Sequence, residues 1–502
     1  MEQDAVAEAF LQVFQYQCHG VGDILSVYRL PVSRMMNRGA ERVSKVIIAA
    51  KLGLPTGFAT TSAGGAMKTT VTVERLISRP VSTDGNFPLS LARLKQFINV
   101  AWAIPFYQSV ESRKVMPMLV TELNDLNPDR SWRKMKFPGA NPFFHHCTFL
   151  QYYMVIVGKK PVGRIAAFID ASYCEKAVNG SIGWISLFEC IDNDDVAAAL
   201  LKAATDDLEA QGAVKIVGPA RFNANGEDGI LVDGFDMHPM IMEPYQPPYY
   251  GRFLDQWGDK ENDWYAFRMT RETATPYMQR LAAMREHGED IEKRLARQGI
   301  AVRPVKMKNW KSEVARVKTI YNEAWDSSVH PQFERFSEEE FDYLAAGLKM
   351  IAIEDLVFLV EDIAKPGRPV IGMAVTLPDL NEIIDEYDHL HAGYVPSDHV
   401  YGPVDVRRDV GIFRLLRSRV RHRDFKYARV FVLGTTRKKS GIDALLYERT
   451  FNAALGMGVQ LASGSQVADS NPEIFVPLSR MGRADITWRV YRHRGADETN
   501  DD

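Results

Sequence analysis

Beyond Met67, the stretch TTVTVERL alternates apolar and polar side chains and predicts a strand. LSLARLKQFINVAWAIPFY follows with apolar residues at three- and four-residue steps, which predicts a helix. After a Pro/Trp/Arg-rich loop at 127–142, FLQYYMVIV and PVGRIAAFID predict two strands around the turn Gly158-Lys159-Lys160. SIGWISLFEC predicts a buried strand, DDVAAALLKAATDDLEAQG a helix capped by Asp194 and closed by Gly212, and AVKIVGP another strand. The order is β-α-ββ-β-α-β.

The second part of the chain repeats that order. IAVRPV predicts a strand, NWKSEVARVKTIYNEAW a helix, DLVFLVED and RPVIGMAVTLPD a hairpin, YARVFVLGT a strand, and IDALLYERTFNAALGMG a helix ending at Gly458. VGRIAAFID and IGMAVTLPD correspond locally, while the spacing between the copies drifts over about 210 to 245 residues, which fits a duplicated fold and not a solenoid. An Arg- and Glu-rich segment from about Pro276 to Gly299 separates the copies and predicts a helical, solvated spacer. Two α/β domains of one kind are therefore expected.

Composition narrows the classes. With 502 residues, 46% hydrophobic and 25% charged, the chain is neither collagen-like nor wholly disordered. A net charge of −3 argues against a protein whose main task is to coat nucleic acid. Cys18, Cys147, Cys174 and Cys190 form no C-x-x-C pair, so neither a zinc ribbon nor a disulfide framework is indicated. No uncharged apolar stretch reaches about 18 residues, so a chain that stays in solution or lies on a membrane, without spanning it, is expected. From Ile24 to Lys68 there are seven Lys/Arg against one acid, Glu41, and residues 1–66 are expected to be a basic, poorly ordered extension.

Charge is local where chemistry is expected. Residues 407–439 hold twelve Lys/Arg against two Asp. YARVFVLGT runs there into Thr436-Arg437-Lys438-Lys439-Ser440-Gly441 and then into a helix. Free N–H groups at such a helix start, with cations beside them, suit a pyrophosphate. A strand order of this kind with a basic turn after the fourth strand resembles the GNAT acyltransferase superfamily, which binds acyl-CoA through [Q/R]-x-x-G-x-[G/A]. Here that pattern starts at Arg437 and places Ser440 and Ile442 where glycines belong, with Gly441 one place off. The resemblance implies an α/β fold of two GNAT-like acyltransferase domains in tandem, each a mixed β-sheet flanked by helices.

Residues 218–250, GPARFNANGEDGILVDGFDMHPMIMEPYQPPYY, gather amides, acids, a histidine and aromatics in a Gly- and Pro-rich run. Together with NPFF at 141–144, VGRIAA at 162–167, IYNEAW at 320–325, LPDLN at 377–381 and WRVYRH at 488–493, it resembles a bacterial group of tandem GNAT-like proteins. That group includes the bacterial-type ceramide synthases, acyl-CoA-dependent N-acyltransferases acting on long-chain sphingoid bases. The implied organisation is an N-terminal GNAT-like domain over 67–270 with 218–250 as acceptor and catalytic loop, a charged helical connector over 271–299, a C-terminal GNAT-like domain over 300–494 with the pyrophosphate turn, and an acidic tail at 495–502.

Acyl transfer from a thioester to an amine needs a base for the amine, stabilisation of the oxyanion and a proton for the thiolate. Glu227 or Asp233 is expected as base, Tyr245, Tyr249 or Tyr250 as proton donor, and Asn223 or Asn225 to orient the amine or the carbonyl. His238 and Tyr249 join Asn223 as substrate-binding candidates, and Arg437, Lys438, Lys439, Ser440 and Gly441 hold the donor. Turn-forming acids and packing tyrosines are the structural alternative for each. Neither a metal nor a permanently bound cofactor is expected; His145, His146 and the polar run with His389, His391 and His399 read as solvated, and Cys190 as a buried apolar residue. The donor is acyl-CoA or acyl-carrier protein, the acceptor a lipid or small amine, and nucleic acid is not a main partner. A cytoplasmic location with optional peripheral contact to anionic membrane is expected. Two other functions remain open: a short-chain or aminoacyl acyltransferase on another amine, and a non-catalytic module that binds acyl-CoA or lipid.

Overall fold

A computed structural model describes residues 71–129, 141–158, 160–172, 180–222, 225–283, 290–324, 330–437 and 440–495, all of one compact unit. The basic extension at 1–66, Cys18, Cys174, Asn223, Lys438, Lys439 and most of the loop at 127–142 lie outside these residues. Among the described residues no helix is long and apolar enough to cross a membrane.

The first half runs β1 (Val73–Arg75), α1 (Leu91–Asn99), α2 (Leu119–Asp125), β2 (Cys147–Val157), β3 (Lys160–Asp170), β4 (Ser181–Cys190), α3 (Asp194–Ala210), β5 (Ala213–Ala220), β6 (Ile230–Asp233), α4 (Tyr250–Trp257) and β7 (Gly258–Thr270). The expected helix over 89–107 stops at Asn99 and continues as two 3-10 turns, the second opening at Pro105, which has no N–H for a continuing α-helix. The cap of α3 is Asn193, one residue before the expected Asp194: its side chain accepts from Val196 N at 3.0 Å, and Asp194 and Asp195 sit in the first turn, where the helix dipole favours them.

The second half runs α5 (Arg271–Ala283), α6 (Ile291–Arg297), β8 (Ile300–Pro304), α7 (Trp310–Ala324), α8 (Glu338–Leu348), β9 (Val357–Asp362), β10 (Val370–Pro378), α9 (Leu380–Leu390), α10 (Pro403–His422), β11 (Tyr427–Thr435), α11 (Ile442–Gly456), β12 (Leu461–Ala468), α12 (Pro472–Met481) and β13 (Arg483–His493). The segment expected as a solvated spacer forms α5 and α6, whose Ala274 and Leu295 are buried in apolar clusters. The expected order is present in both halves: antiparallel strands, then one parallel pair joined over a helix, β4 with β5 over α3 and β11 with β12 over α11. The fold is thus two mixed-sheet α/β halves in tandem.

The halves share one sheet, ordered β1-β2-β3-β4-β5-β13-β7-β12-β11-β10-β9-β8. Their last strands are exchanged. β13 of the second half lies against β5, and β7 of the first lies against β12. Between β7 and β13 the antiparallel register sets Trp264 opposite Trp488, and each stands six residues after the glycine that starts its strand region, Gly258 or Gly482. An approximate two-fold axis therefore passes between the two buried indoles. The glycines are needed for close approach: a Cβ at Gly258 would run into the carbonyl oxygen of Arg492, and one at Gly482 into that of Arg268.

A helical insertion, α9 and α10, stands where the first half has only residues 171–180. Its charged groups reach the first half. Lys95 Nζ lies 2.7 Å from Asp405 Oδ2 with both side chains buried, Asp409 accepts from Val120 N at 2.8 Å, and Arg408 donates to the carbonyls of Met116 and Pro117.

Candidate functional site

Residues 218–222 and 225–250 are tied into the sheet and to the second half. Gly229 N donates to Pro219 O and Arg221 N to Glu227 O, closing a tight excursion after β5; β6, which the sequence pattern left unassigned, then pairs with β13. From Gly234 the chain crosses to the second half. His238 Nε2 lies 3.0 Å from Asp379 Oδ2, and Ile241 N donates to Asp379 Oδ1 at 2.7 Å.

Glu243 is the fixed point of that crossing. Its carboxylate is buried and accepts from Met240 N at 2.8 Å, Arg268 Nη2 at 2.7 Å, and the hydroxyls of Ser463 and Ser465 at 2.6 Å each. Burial alone would raise its pKa, but Arg268, Arg429 and the two hydroxyls hold it below the usual value. Arg429, a cation within the apolar strand β11, donates to Ser465 O and Ile241 O.

Of the expected bases, Glu227 and Asp233 stand in different surroundings. Glu227 is half-buried in the fields of Arg221 and Arg429, and its carboxylate accepts no hydrogen bond among the described residues. Asp233 is exposed at the end of β6 and accepts from Gly234 N at 3.0 Å. Asn225 Nδ2 donates to Glu334 O at 2.7 Å.

The three tyrosines anchor the end of the segment. Tyr250 and Tyr107 donate to Glu189 Oε2 at 2.9 and 2.7 Å, and burial followed by the Glu189 charge pushes both phenols well up. Tyr249 donates to Cys190 O at 2.9 Å, Tyr250 Oη accepts from Cys190 N at 2.7 Å, and Tyr245 donates to Phe235 O at 2.8 Å. The Tyr249 and Tyr250 contacts occupy the backbone at the end of β4, where its pairing with β5 has already stopped at Ser186 and Ala220.

The second half has the corresponding opening without such a filling. β11 and β12 pair only from Tyr427–Leu461 to Val430–Gly464, while β11 continues to Thr435 with residues 430–435 half-exposed. Beyond it, Ser440 Oγ donates to Arg437 O at 2.7 Å, Gly441 adopts φ +85° at the start of α11, and Arg294 Nη2 donates to Ser440 O at 3.1 Å. The Arg437 guanidinium is paired with Asp362. At the same place the first half carries Asp192, Asp194 and Asp195, so only the second turn suits an anion.

Next to Glu227, Asp228 is the most isolated carboxyl of the site. It is 1% exposed; Oδ2 accepts from Trp264 Nε1 at 2.8 Å, and Oδ1 has no hydrogen-bond partner among the described residues. Burial raises its pKa to about 7, with only the Trp264 indole and the Gly229 amide pulling it down. The His330 ring lies 4.7 Å from that of Trp264, and burial lowers its imidazole to about 4, so it is neutral. Such a carboxyl keeps its proton in the native state after the unfolded chain has lost it. The contribution of Asp228 to stability therefore falls as pH rises from about 4 to about 7 and is level above. Asp228→Asn removes that loss and is expected to be more stable than the parent at pH 8, by roughly 2–4 kcal/mol, with the gain fading towards pH 4. Urea unfolding at the two pH values checks this, and equal stability at pH 8 would contradict it.

Sequence reasoning named Asp228 only as part of the run and did not assign Arg429, Glu189, Asn262 or Gln332. An arginine inside the apolar strand YARVFVLGT and an acid closing GWISLFEC were visible signals. Nothing distinguishes Asn262 or Gln332 from solvent-facing residues before the halves are assembled. His145 and His146 face Glu339 and Glu340 of α8 at 2.9 and 3.7 Å, and among the described residues no group of three or more His, Cys, Asp or Glu is placed to hold a metal ion.

No family model matches the chain. Among solved structures it is similar to a tandem GNAT protein from the clavulanic acid biosynthesis pathway, at 10% identity and a TM-score of 0.42, covering 84% of this chain and 98% of that one. A GCN5-related N-acetyltransferase from Sphaerobacter thermophilus matches at 10% identity and a TM-score of 0.38, covering 84% of this chain and 96% of that one. Among curated proteins it is 31% identical over 255 residues to protein YghO of Escherichia coli K12, and 30% identical over 248 residues to the bacterial ceramide synthase of Caulobacter vibrioides. These alignments take in 50% and 49% of this chain and 60% of each relative's own length.

Proposed function

We propose that the chain is a GNAT-type N-acyltransferase that moves a fatty acyl group from an acyl thioester, acyl-CoA or acyl-carrier protein, to the amine of a long-chain sphingoid base. The observation that carries this reading is the asymmetry of the two strand openings. Tyr249, Tyr250 and Glu189 fill the first, whereas the second is half-exposed and leads to the basic turn at Arg437. The donor thus binds in the second half, its pyrophosphate at the start of α11 beside Ser440, Gly441 and Arg294, and exposed Arg407, Arg414 and Arg421 of α10 attract anionic donors or an anionic membrane surface. The acceptor class comes from the similarity to the Caulobacter ceramide synthase.

In this scheme the ammonium of the acceptor gives one proton to Glu227, directly or through water, and the amine nitrogen attacks the thioester carbonyl. Collapse of the tetrahedral intermediate breaks the C–S bond, and the second amine proton ends on the thiolate. The products are an amide and a free thiol. A second reading, a non-catalytic acyl-CoA sensor, is favoured by Ser440 and Ile442 at the expected glycine positions and by the pairing of Arg437 with Asp362.

Thiol release from acyl-CoA donors of graded length, with a sphingoid base or a short amine, separates these readings. Release that requires the sphingoid base and rises with acyl length is expected. Preference for acetyl-CoA would indicate a short-chain enzyme, and tight CoA binding without turnover on any amine would indicate the sensor.

A further inference from the structure

Buried polar atoms without partners gather on the apolar face at the junction of the halves. Besides Asp228 Oδ1, both side-chain amide atoms of Asn262 and Oε1 of Gln332 are buried and have no partner among the described residues. Asn262 precedes Trp264 by two positions on β7, in the regular part of its pairing with β13, so its side chain shares the face of the indole that holds Asp228. Gln332 follows His330, whose ring lies against that indole, and its Nε2 reaches Glu261 Oε1, the residue before Asn262, at 3.3 Å. Asn262, His330 and Gln332 are each only half-buried, so the group borders accessible space.

Leaving several polar atoms unsatisfied in one interior region is costly, and native proteins place water or a ligand there. The chemistry of the set is one-sided. With Asp228 ionised, its Oδ1, Asn262 Oδ1 and Gln332 Oε1 accept, and Asn262 Nδ2 alone of these atoms donates. Asp228 moreover has a neutral donor, the Trp264 indole, where Glu243 has the Arg268 guanidinium, with the Arg429 charge nearby. An uncompensated buried carboxyl among carbonyl oxygens is complementary to a cation that donates several hydrogen bonds.

We propose that Asp228, Asn262 and Gln332 form the binding site for the head of the acceptor, a primary ammonium flanked by hydroxyl groups, with the ammonium on Asp228 and the hydroxyls on the two amides. This rests on the acyl-transfer reading for the identity of the occupant, and adds where its head sits. Glu227, the preceding residue, is the base that this reading assigns to the amine, and the opening between β11 and β12 supplies the thioester.

The test is direct binding of a long-chain 2-amino-1,3-diol to the full chain without donor, followed by tryptophan fluorescence or calorimetry, with the matching diol lacking the amine as control. The parent is expected to bind the aminodiol saturably. Asp228→Asn should weaken binding about 10- to 100-fold, as loss of a charge-assisted hydrogen bond requires, and reduce the preference for the aminodiol over the plain diol. Asn262→Ala should weaken both ligands about 5- to 10-fold. CoA affinity should be unchanged in both variants, which controls for misfolding. No saturable binding by the parent, or folded variants that both bind like the parent, overturns the proposal. If binding follows the pattern but no donor gives thiol, the acyl-transfer reading fails and the site stands; if thiol release persists in Asp228→Asn with an unchanged KM for the amine, the site fails and the reaction stands.

Discussion

Glu243→Ala is expected to lower the unfolding free energy by about 3–5 kcal/mol, the cost of removing one partner from a buried ion pair. The carboxylate is the single acceptor shared by Arg268 Nη2, Ser463, Ser465 and Met240 N, and Arg429 stands in its field. Alanine would leave the Arg268 charge without its carboxylate and the buried hydroxyls of Ser463 and Ser465 without that acceptor. It also removes the tie of the Pro239–Pro244 stretch to β12, while Asp379, Asn381, Arg429 and Trp488 still hold it. Glu243→Gln keeps an acceptor oxygen and should lose roughly half as much, since the hydrogen bonds survive better than the charge. Asp206→Ala, which removes the exposed pair with Lys202 on α3, should leave the transition where it is. Urea unfolding with an unchanged slope reads all three, and a Glu243→Ala midpoint equal to the parent's would show that the network contributes nothing.

The same network shows why the fold was partly legible in sequence. Strands β2, β3, β4, β9 and β10 are long apolar runs covered on both faces, so composition and length identify them without tertiary information. α10 was hidden because its buried side carries Asp405, Arg408 and Asp409 ahead of Ile412 and Leu416, which blurs the apolar period. The strand exchange was equally hidden. Local pattern states that WRVYRH can be a strand, and only assembly decides that it lies beside β5 and β7 of the other half. For the candidate site, the density of Gly, Pro, acids and tyrosines singles out about 30 residues, because a long segment of that composition needs a reason. Individual surroundings were not legible, since an exposed acid at a turn and an acid drawn into the interior read alike in sequence: Asp233 is the first, and Glu227, half-buried, and Asp228, buried, are the second.

That contrast sets the functional prediction with the largest effect. Glu227→Gln is expected to lower kcat/KM for acyl transfer by about 10²–10⁴-fold, the usual worth of a positioned general base. Asp233→Asn should stay within about threefold of the parent, as expected for an exposed turn residue away from such features. The reasoning is positional. Glu227 is half-buried beside Asp228, its carboxylate accepts no hydrogen bond among the described residues, and Arg221 and Arg429 flank it without claiming it in an ion pair. Asp233 spends its carboxylate on Gly234 N at the solvent edge of β6. Glutamine preserves size and packing at 227 but cannot take the ammonium proton, so the loss should fall on kcat, with aminodiol and CoA affinities close to the parent's. An unchanged kcat in Glu227→Gln, or a larger loss in Asp233→Asn, would reverse the assignment and move the base to the outer end of the segment.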